Sequence, residues 1–490
     1  MDQKIRNTEP KVLWNHFADL NAIPRPSKKE ARIVAFVIAF AKKHRLKYTV
    51  DEVQNVILKK PATAGMETRK TVVLQAHLDM VHQKNEATVF DFDKQGIQMK
   101  STGDWISANG TTLGADNGIG VAAILSVLSA TDIAHPALEA LFTIDEETGM
   151  TGAMGLKGGL LAGEILLNLD TEDDDEISIG CAGGIDLTAS SNYEEFKTPE
   201  DTAAFCLTVK GLQGGHSGMD IHKGYGNANK IIARILLDAY ANFETSLASL
   251  KGGGLRNAIP RESQTTLVVK NIFKEAFELE FTQQVAVLKK ELSAVEPDLQ
   301  ITLTPTKQPK KVMDVLAQKR LIQALYATHN GVYTMNPSIP DLVETSNNLA
   351  RVTVKEGCIE IACLIRSFSE SGKMDMTNAL RCVFELADFK VTVSGDYPGW
   401  EPNTSTEILK VLKERYEKLF QSSPKVMACH AGLECGILGT HYPNMEMISF
   451  GPNIRGAHSP EEKVSISSTQ KFWVFLKEIL KNIPKKEPVL

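Results

Sequence analysis

Three short apolar runs in the first part of the chain each end in acidic or histidine side chains. They are TVVLQAHLDM (71–80), ALEALFTID (137–145) and EILLNLD (164–170). Each is shorter than a typical helix and is bounded by polar residues, so each reads as a buried strand. GIGVAAILSVLSA (118–130) and ARIVAFVIAFAKKHRL (31–46) have the length and pattern of helices. Strands separated by helices imply a parallel or mixed sheet with helices on its faces. In such sheets, functional side chains gather just beyond the carboxyl ends of strands. His77-Leu78-Asp79, Asp145-Glu146-Glu147 and Asp170 all stand at such ends.

From about 186 the pattern changes. Strand-like CLTVKG, TTLVVK and LQITLT alternate with the helical segments KIIARILLDAY (230–240) and FTQQVAVLKKELSAV (281–295). This stretch has its own turn signals, among them GLQGGHSGMD (211–220) and KGGG (251–254). After GDYPGWEPN (395–403) the earlier style returns, with helix TEILKVLKERYEKLF, strand MEMISFG and closing helix TQKFWVFLKEILKNI. The expected architecture is α/β: a mixed-sheet domain over 1–185 and 400–490, with a second α/β domain over 186–399 inserted into it.

Composition narrows the function classes. The 490 residues carry a net charge of −6, which argues against a nucleic-acid groove or a polybasic membrane surface. No apolar run is long enough to span a bilayer, and the N-terminus lacks a basic-then-apolar signal layout, so a cytoplasmic protein is expected. Seven cysteines without a C-x-x-C pair suit a reducing compartment.

The strand-end residues carry the chemistry. His77 and Asp79 are two apart on a strand and share a face, so the pair reads either as a surface histidine with a nearby Asp or as a metal-ligating histidine that Asp79 orients. Asp116, in TTLGADNGIG, reads either as a helix cap or as a carboxylate shared between two ions. Glu146 and Glu147 repel each other unless a cation or a shared proton compensates. One of such a pair can bind metal while the other takes a proton from water; the alternative reading is an exposed acidic turn. His458, in SFGPNIRGAHSPEE, is by itself a loop histidine. Gly118-x-Gly120-x-x-Ala123, with Glu139 downstream, imitates a dinucleotide fingerprint but follows polar TTLGADN rather than a strand. The acidic run Glu172 to Glu176 reads as a solvated loop, since calcium-loop spacing is absent. Taken together, nitrogen and oxygen donors without thiolate suit Zn²⁺, with Mn²⁺ or Co²⁺ as substitutes, and five of them suit two ions sharing a carboxylate.

HLDM, LGADNGIG, DEETG, LNLDTE and GAHSPEE, in this order, resemble the motifs of the M20 family of di-zinc metallopeptidases. The resemblance covers nearly the whole chain and is closest to the aminoacyl-histidine dipeptidase branch, also called peptidase D or cytosol non-specific dipeptidases. It implies that His77, Asp116 and Asp170 hold one zinc ion, and Asp116, Glu147 and His458 a second. It implies Asp79 as the residue orienting His77, and Glu146 as general base. The inserted domain resembles the family's lid. There His216 corresponds to a histidine that stabilises the tetrahedral oxyanion, in dimeric members from the partner subunit. Asn257 and Arg366 match substrate-binding positions and His430 is a further pocket candidate; by themselves, Asn257 equally reads as a turn residue and Arg366 as half of a salt bridge near a strand end. An Arg suits a dipeptide's free carboxylate because its fork makes two parallel hydrogen bonds. The resemblance therefore implies a cytoplasmic, homodimeric dipeptidase for unblocked dipeptides, including Xaa-His and β-alanyl-histidine (carnosine). The rival readings are an M20 tripeptide aminopeptidase, an N-acyl amino acid amidohydrolase, and a non-catalytic metal-binding scaffold.

Overall fold

In the computed structural model, which describes residues 3–486, the chain divides into two compact units. Among the described residues, the first comprises 3–180, 400–428 and 433–486; the second comprises 181–399 and the four residues 429–432.

The first unit is built on an eight-stranded mixed sheet. Its centre is four mutually parallel strands in the spatial order Leu138–Thr143, Val72–His77, Ile165–Asn168 and Glu446–Ser449. Every residue of Val72–His77 and Leu138–Thr143 is buried. Continuous burial is what a parallel strand covered on both faces requires, and it explains the unbroken apolar runs in the sequence. On one face, Val73, Leu141, Leu166 and Met447 pack with Leu156 and Leu438. The helix Ala115–Ser129 lies against Val72–His77 and against the helix Lys11–Asn21. Nearly all of its residues are buried, so it shows no polar stripe. The antiparallel strands Lys47–Val50 and Val56–Lys60 extend one edge.

A separate four-stranded sheet combines Met99–Thr102, Trp105–Ala108, Lys463–Ser465 and Ile454–Arg455. It fixes both ends of the loop that carries His458. The acidic run is a loop with half-exposed side chains, and ion pairs also tie it down. Asp174 pairs with Lys471 at 2.7 Å, Asp175 with Lys425 at 2.9 Å, and Asp173 with Arg455. Cations far away in sequence pair with these three, while Glu172 has no such partner among the described residues and burial raises its pKa to about 8.

The second unit holds a nine-stranded sheet in which every strand pair is antiparallel. The helices Ala228–Phe243, Lys274–Leu292, Val315–Ala327 and Glu370–Leu386 pack against it. Leu207, Ile232, Leu267, Phe277, Leu321, Ile361 and Phe384 belong to its shared core. The helix expected over 281–295 begins at Lys274 instead; its opening turns are largely exposed, so burial periodicity does not mark them.

Candidate active site

The parallel strands of the first unit deliver their following residues to one end of the sheet. His77 is the last residue of its strand, Glu146 and Glu147 follow Leu138–Thr143, and Asp170 follows Ile165–Asn168. Asp116 comes from the start of the helix Ala115–Ser129, where its backbone is non-helical (φ −80°, ψ 110°). Its side chain makes no cap bond; it turns to two histidines instead. Oδ1 lies 3.1 Å from His77 Nε2, and Oδ2 lies 3.1 Å from His458 Nε2. His77 Nε2 is also 3.5 Å from Asp170, and His458 Nε2 is 2.9 Å from Glu147. Two triads result, His77–Asp116–Asp170 and Asp116–Glu147–His458, each with ligand atoms within 4.8 Å of one another. Glu146 joins a third group with His77 and Glu147.

These donors fit metal cations. Among the described residues, no lysine or arginine pairs with Asp116, Glu146, Glu147 or Asp170. Burial, reinforced by neighbouring carboxylates, pushes Glu146 well above the ordinary carboxylate range and raises Glu147 and Asp170. Asp116 goes the other way: burial is outweighed by its contacts with His458 and His77. Burial favours neutral His77, but Asp170, Asp116 and Asp79 together hold it well above its usual value. Glu147 Oε1 is buried without a hydrogen-bond partner. Concentrated negative charge with an orphaned oxygen is a chemistry that divalent cations satisfy.

The surrounding residues fix these side chains. His77 Nδ1 faces Asp79 Oδ1 at 3.3 Å. Asp79 also accepts from the Ser27 hydroxyl at 2.7 Å and from the Glu146 and Glu147 amides at 3.1 and 3.3 Å. It therefore ties the histidine strand to the Glu-Glu turn. That turn starts at Asp145, whose backbone is left-handed (φ 53°) and whose side chain accepts from the hydroxyls of Thr148 and Thr151.

Several residues that the sequence reasoning missed do comparable work. The fully buried guanidinium of Arg25 donates to the carbonyls of Leu78, Asp79 and Gly114 at 3.2, 3.0 and 2.6 Å. It clamps the His77 strand end to the Asp116 loop. Glu462 accepts four amides in a row: Leu113 and Gly114 on Oε2, Ala115 and Asp116 on Oε1, at 2.7 to 3.2 Å. Asn117 donates to Asp170. Glu462 and Asn117 carried a usable signal, since they lie inside the segments GAHSPEE and LGADNGIG; Arg25 carried none. Glu139 is excluded from any nucleotide role: it pairs with Lys59 at 2.6 Å and accepts the Ala162 and Gly163 amides.

The other predicted site residues lie in the second unit. His216 Nδ1 accepts from the amides of Gly218 and Met219 at 3.2 and 3.0 Å. That places its ring proton on Nε2. Burial, then the Arg366 charge, lowers its pKa to about 4, so the ring stays a neutral N–H donor. A Cβ at Gly218 would stand 1.9 Å from the His430 carbonyl oxygen, so only glycine fits there. His430 is buried and its Nε2 meets the Ser346 hydroxyl at 2.8 Å. Burial lowers its pKa to about 3, helped by the charge of Arg366. Arg366 is the second-last residue of the strand Cys358–Ser367 and is 4% exposed. Asn257 is exposed, and its carbonyl accepts the Ser217 amide at 2.8 Å.

The sequence matches the model of Peptidase family M20/M25/M40 over residues 73–482. The chain belongs to that family. It is a peptidase, a hydrolase of peptide bonds. It is 43% identical, over 99% of its length and 100% of the relative's, to the cytosol non-specific dipeptidase of Escherichia coli. The crystal structure of aminoacylhistidine dipeptidase from Vibrio alginolyticus superposes with a TM-score of 0.94 at 43% identity, covering 99% of each chain. Aminopeptidase PepT from Bacillus cereus shares the fold alone, with a TM-score of 0.57 at 16% identity over 97% of this chain and 99% of that one. Among the described residues, no helix is long and apolar enough to cross a membrane.

Proposed function

We propose that this M20 peptidase is a two-zinc dipeptidase of the cytoplasm. Its substrates are unblocked dipeptides, including Xaa-His and β-alanyl-histidine. The observation that carries the reading is the division of Asp116, one carboxylate oxygen toward His77 and the other toward His458. That is the arrangement of a carboxylate shared by two ions. His77 and Asp170 would complete one ligand set, Glu147 and His458 the other. Zinc ions held there would polarise the scissile carbonyl and make a water molecule acidic enough to attack it.

The chain's own residues supply the rest. Asp79 orients the His77 ring. Glu146, its carboxyl raised by burial and neighbouring charge, takes the proton from the attacking water and passes it to the leaving nitrogen. In the second unit, His216 offers an Nε2–H that suits a tetrahedral oxyanion, and such donors typically contribute about 3–4 kcal/mol. Arg366 receives the free carboxylate, while Asn257 and His430 line the substrate. The first unit is the catalytic domain, the second is the lid, and the protein is a homodimer through the lid. Support for the dipeptide class is the similarity to the two relatives named as dipeptidases.

The test is hydrolysis by metal-stripped protein reloaded with Zn²⁺, Mn²⁺ or Co²⁺. Ala-His, carnosine, trialanine and N-acetyl-histidine are compared side by side. Metal-dependent cleavage of the two dipeptides alone is expected. Cleavage of trialanine or N-acetyl-histidine instead would move the protein to the tripeptide or amidohydrolase branch and undo the pocket assignment.

A further inference from the structure

Arg366 is a buried cation without an anion. Its Nε donates to the Ser217 hydroxyl at 3.4 Å and its Nη1 to the Tyr397 phenol oxygen at 2.8 Å. Nη2 has no acceptor, and no carboxylate pairs with the group, among the described residues. Asp186 is engaged elsewhere, 3.1 Å from Arg256 Nε. A guanidinium held this way is costly until an anion arrives.

The phenol shares that geometry. Its oxygen already accepts from Arg366, so its own proton is left for another acceptor, and none is present among the described residues. Burial raises the Tyr397 pKa despite the adjacent guanidinium, so the group stays a phenol and keeps that proton. The ring is also fixed in place. Lys373, 1% exposed, donates from Nζ to the Tyr397 carbonyl at 2.8 Å and pairs with Asp396 at 2.6 Å and Glu370 at 2.9 Å. The strand register skips between Ser394 and Tyr397, which stands opposite Gly184. A Cβ at Gly184 would come within 2.5 Å of the phenol oxygen, so the ring lies directly on bare backbone.

We propose that the Tyr397 hydroxyl is a second donor to the substrate's terminal carboxylate, set beside Arg366 so that one anion accepts from both. This deepens, and rests on, the assignment of Arg366 to that carboxylate. The pair would favour free-acid peptides over peptides whose C-terminus is an amide.

The experiment is Tyr397→Phe, which removes only the hydroxyl, compared with Arg366→Lys in the zinc-loaded enzyme. KM for Ala-His is measured together with inhibition by L-histidine and by L-histidinamide. For Tyr397→Phe, KM and the histidine inhibition constant should each rise about tenfold, the loss of one hydrogen bond to a charged group, with kcat within about twofold. The preference for histidine over histidinamide should shrink by the same factor. An unchanged KM, or an equal weakening of both inhibitors, would overturn the proposal, because a merely structural role does not distinguish acid from amide. If Arg366→Lys also leaves KM and the preference unchanged, the Arg366 assignment itself falls. If Arg366→Lys weakens the acid and Tyr397→Phe does not, only the role of Tyr397 falls.

Discussion

Glu462→Gln tests how the Asp116 loop is held. The carboxylate accepts four consecutive amides, two on each oxygen. A carboxamide keeps one oxygen and turns an NH₂ toward the other two amides. Two charge-assisted hydrogen bonds are lost, at about 1.5–3 kcal/mol each, or about 3–6 kcal/mol in all. Burial disfavours the charge at this position, outweighing the amides that favour it, so the neutral side chain recovers part of that loss. The net expectation is a destabilisation of about 2–4 kcal/mol. The readout is convenient. All four tryptophans, Trp14, Trp105, Trp400 and Trp473, belong to the first unit, so denaturant unfolding followed by tryptophan fluorescence reports on that unit alone. Zinc affinity is measured in parallel and should fall at least about tenfold, because Asp116 is the last of the four amides held. A variant with the wild-type midpoint and the wild-type zinc affinity would refute the argument that Glu462 shapes the site.

Three further outcomes are expected. Glu146→Ala should bind metal as the wild type does in a chelator competition, yet lose hydrolysis by about three orders of magnitude or more; near-normal turnover would remove Glu146 as base. Gly218→Ala places a methyl 1.9 Å from the His430 carbonyl and should cost about 1–3 kcal/mol in denaturant unfolding, with reduced kcat as His216 shifts. Glu434 is buried, accepts from Gln75 and Thr143 at 2.7 Å each, and has its pKa raised by burial to about 7. A carboxyl raised in the folded state contributes stability that is full below its unfolded pKa near 4.5 and is lost as pH rises through about 7. Metal-free wild type should therefore lose about 3 kcal/mol between pH 4.5 and 8 relative to Glu434→Gln, checked by unfolding both at several pH values.

The parts of the molecule visible in the sequence are those set by local pattern. Unbroken apolar runs gave away Val72–His77 and Leu138–Thr143 because both faces of a central parallel strand are covered. The strand-end rule then pointed to His77, Glu146, Glu147 and Asp170, which the fold brings to one end of the sheet. What stayed hidden is made by tertiary contact. Glu462 meets the Asp116 amide across 346 positions, and Arg25 meets the Gly114 carbonyl across 89. Arg25 has no neighbour pattern that announces it, and Glu462 has only its place at the end of GAHSPEE. Tyr397 escaped notice for the same reason: its significance comes from Arg366, on another strand, and not from the YPGW segment around it. The acidic run reads rightly as a loop, but its charge density could not show which cations fold back onto Asp173, Asp174 and Asp175.

The four residues 429–432 have a practical consequence for anyone exchanging parts between relatives. They belong to the second unit although the chain on either side of them belongs to the first. A graft that moves 181–399 as a single cassette would leave Ser346 without the imidazole it meets, and Gly218 without the carbonyl that forbids a side chain there. Functional chimeras of this family member should need a two-piece transplant, with Cys429 to Gly432 travelling alongside the main insert.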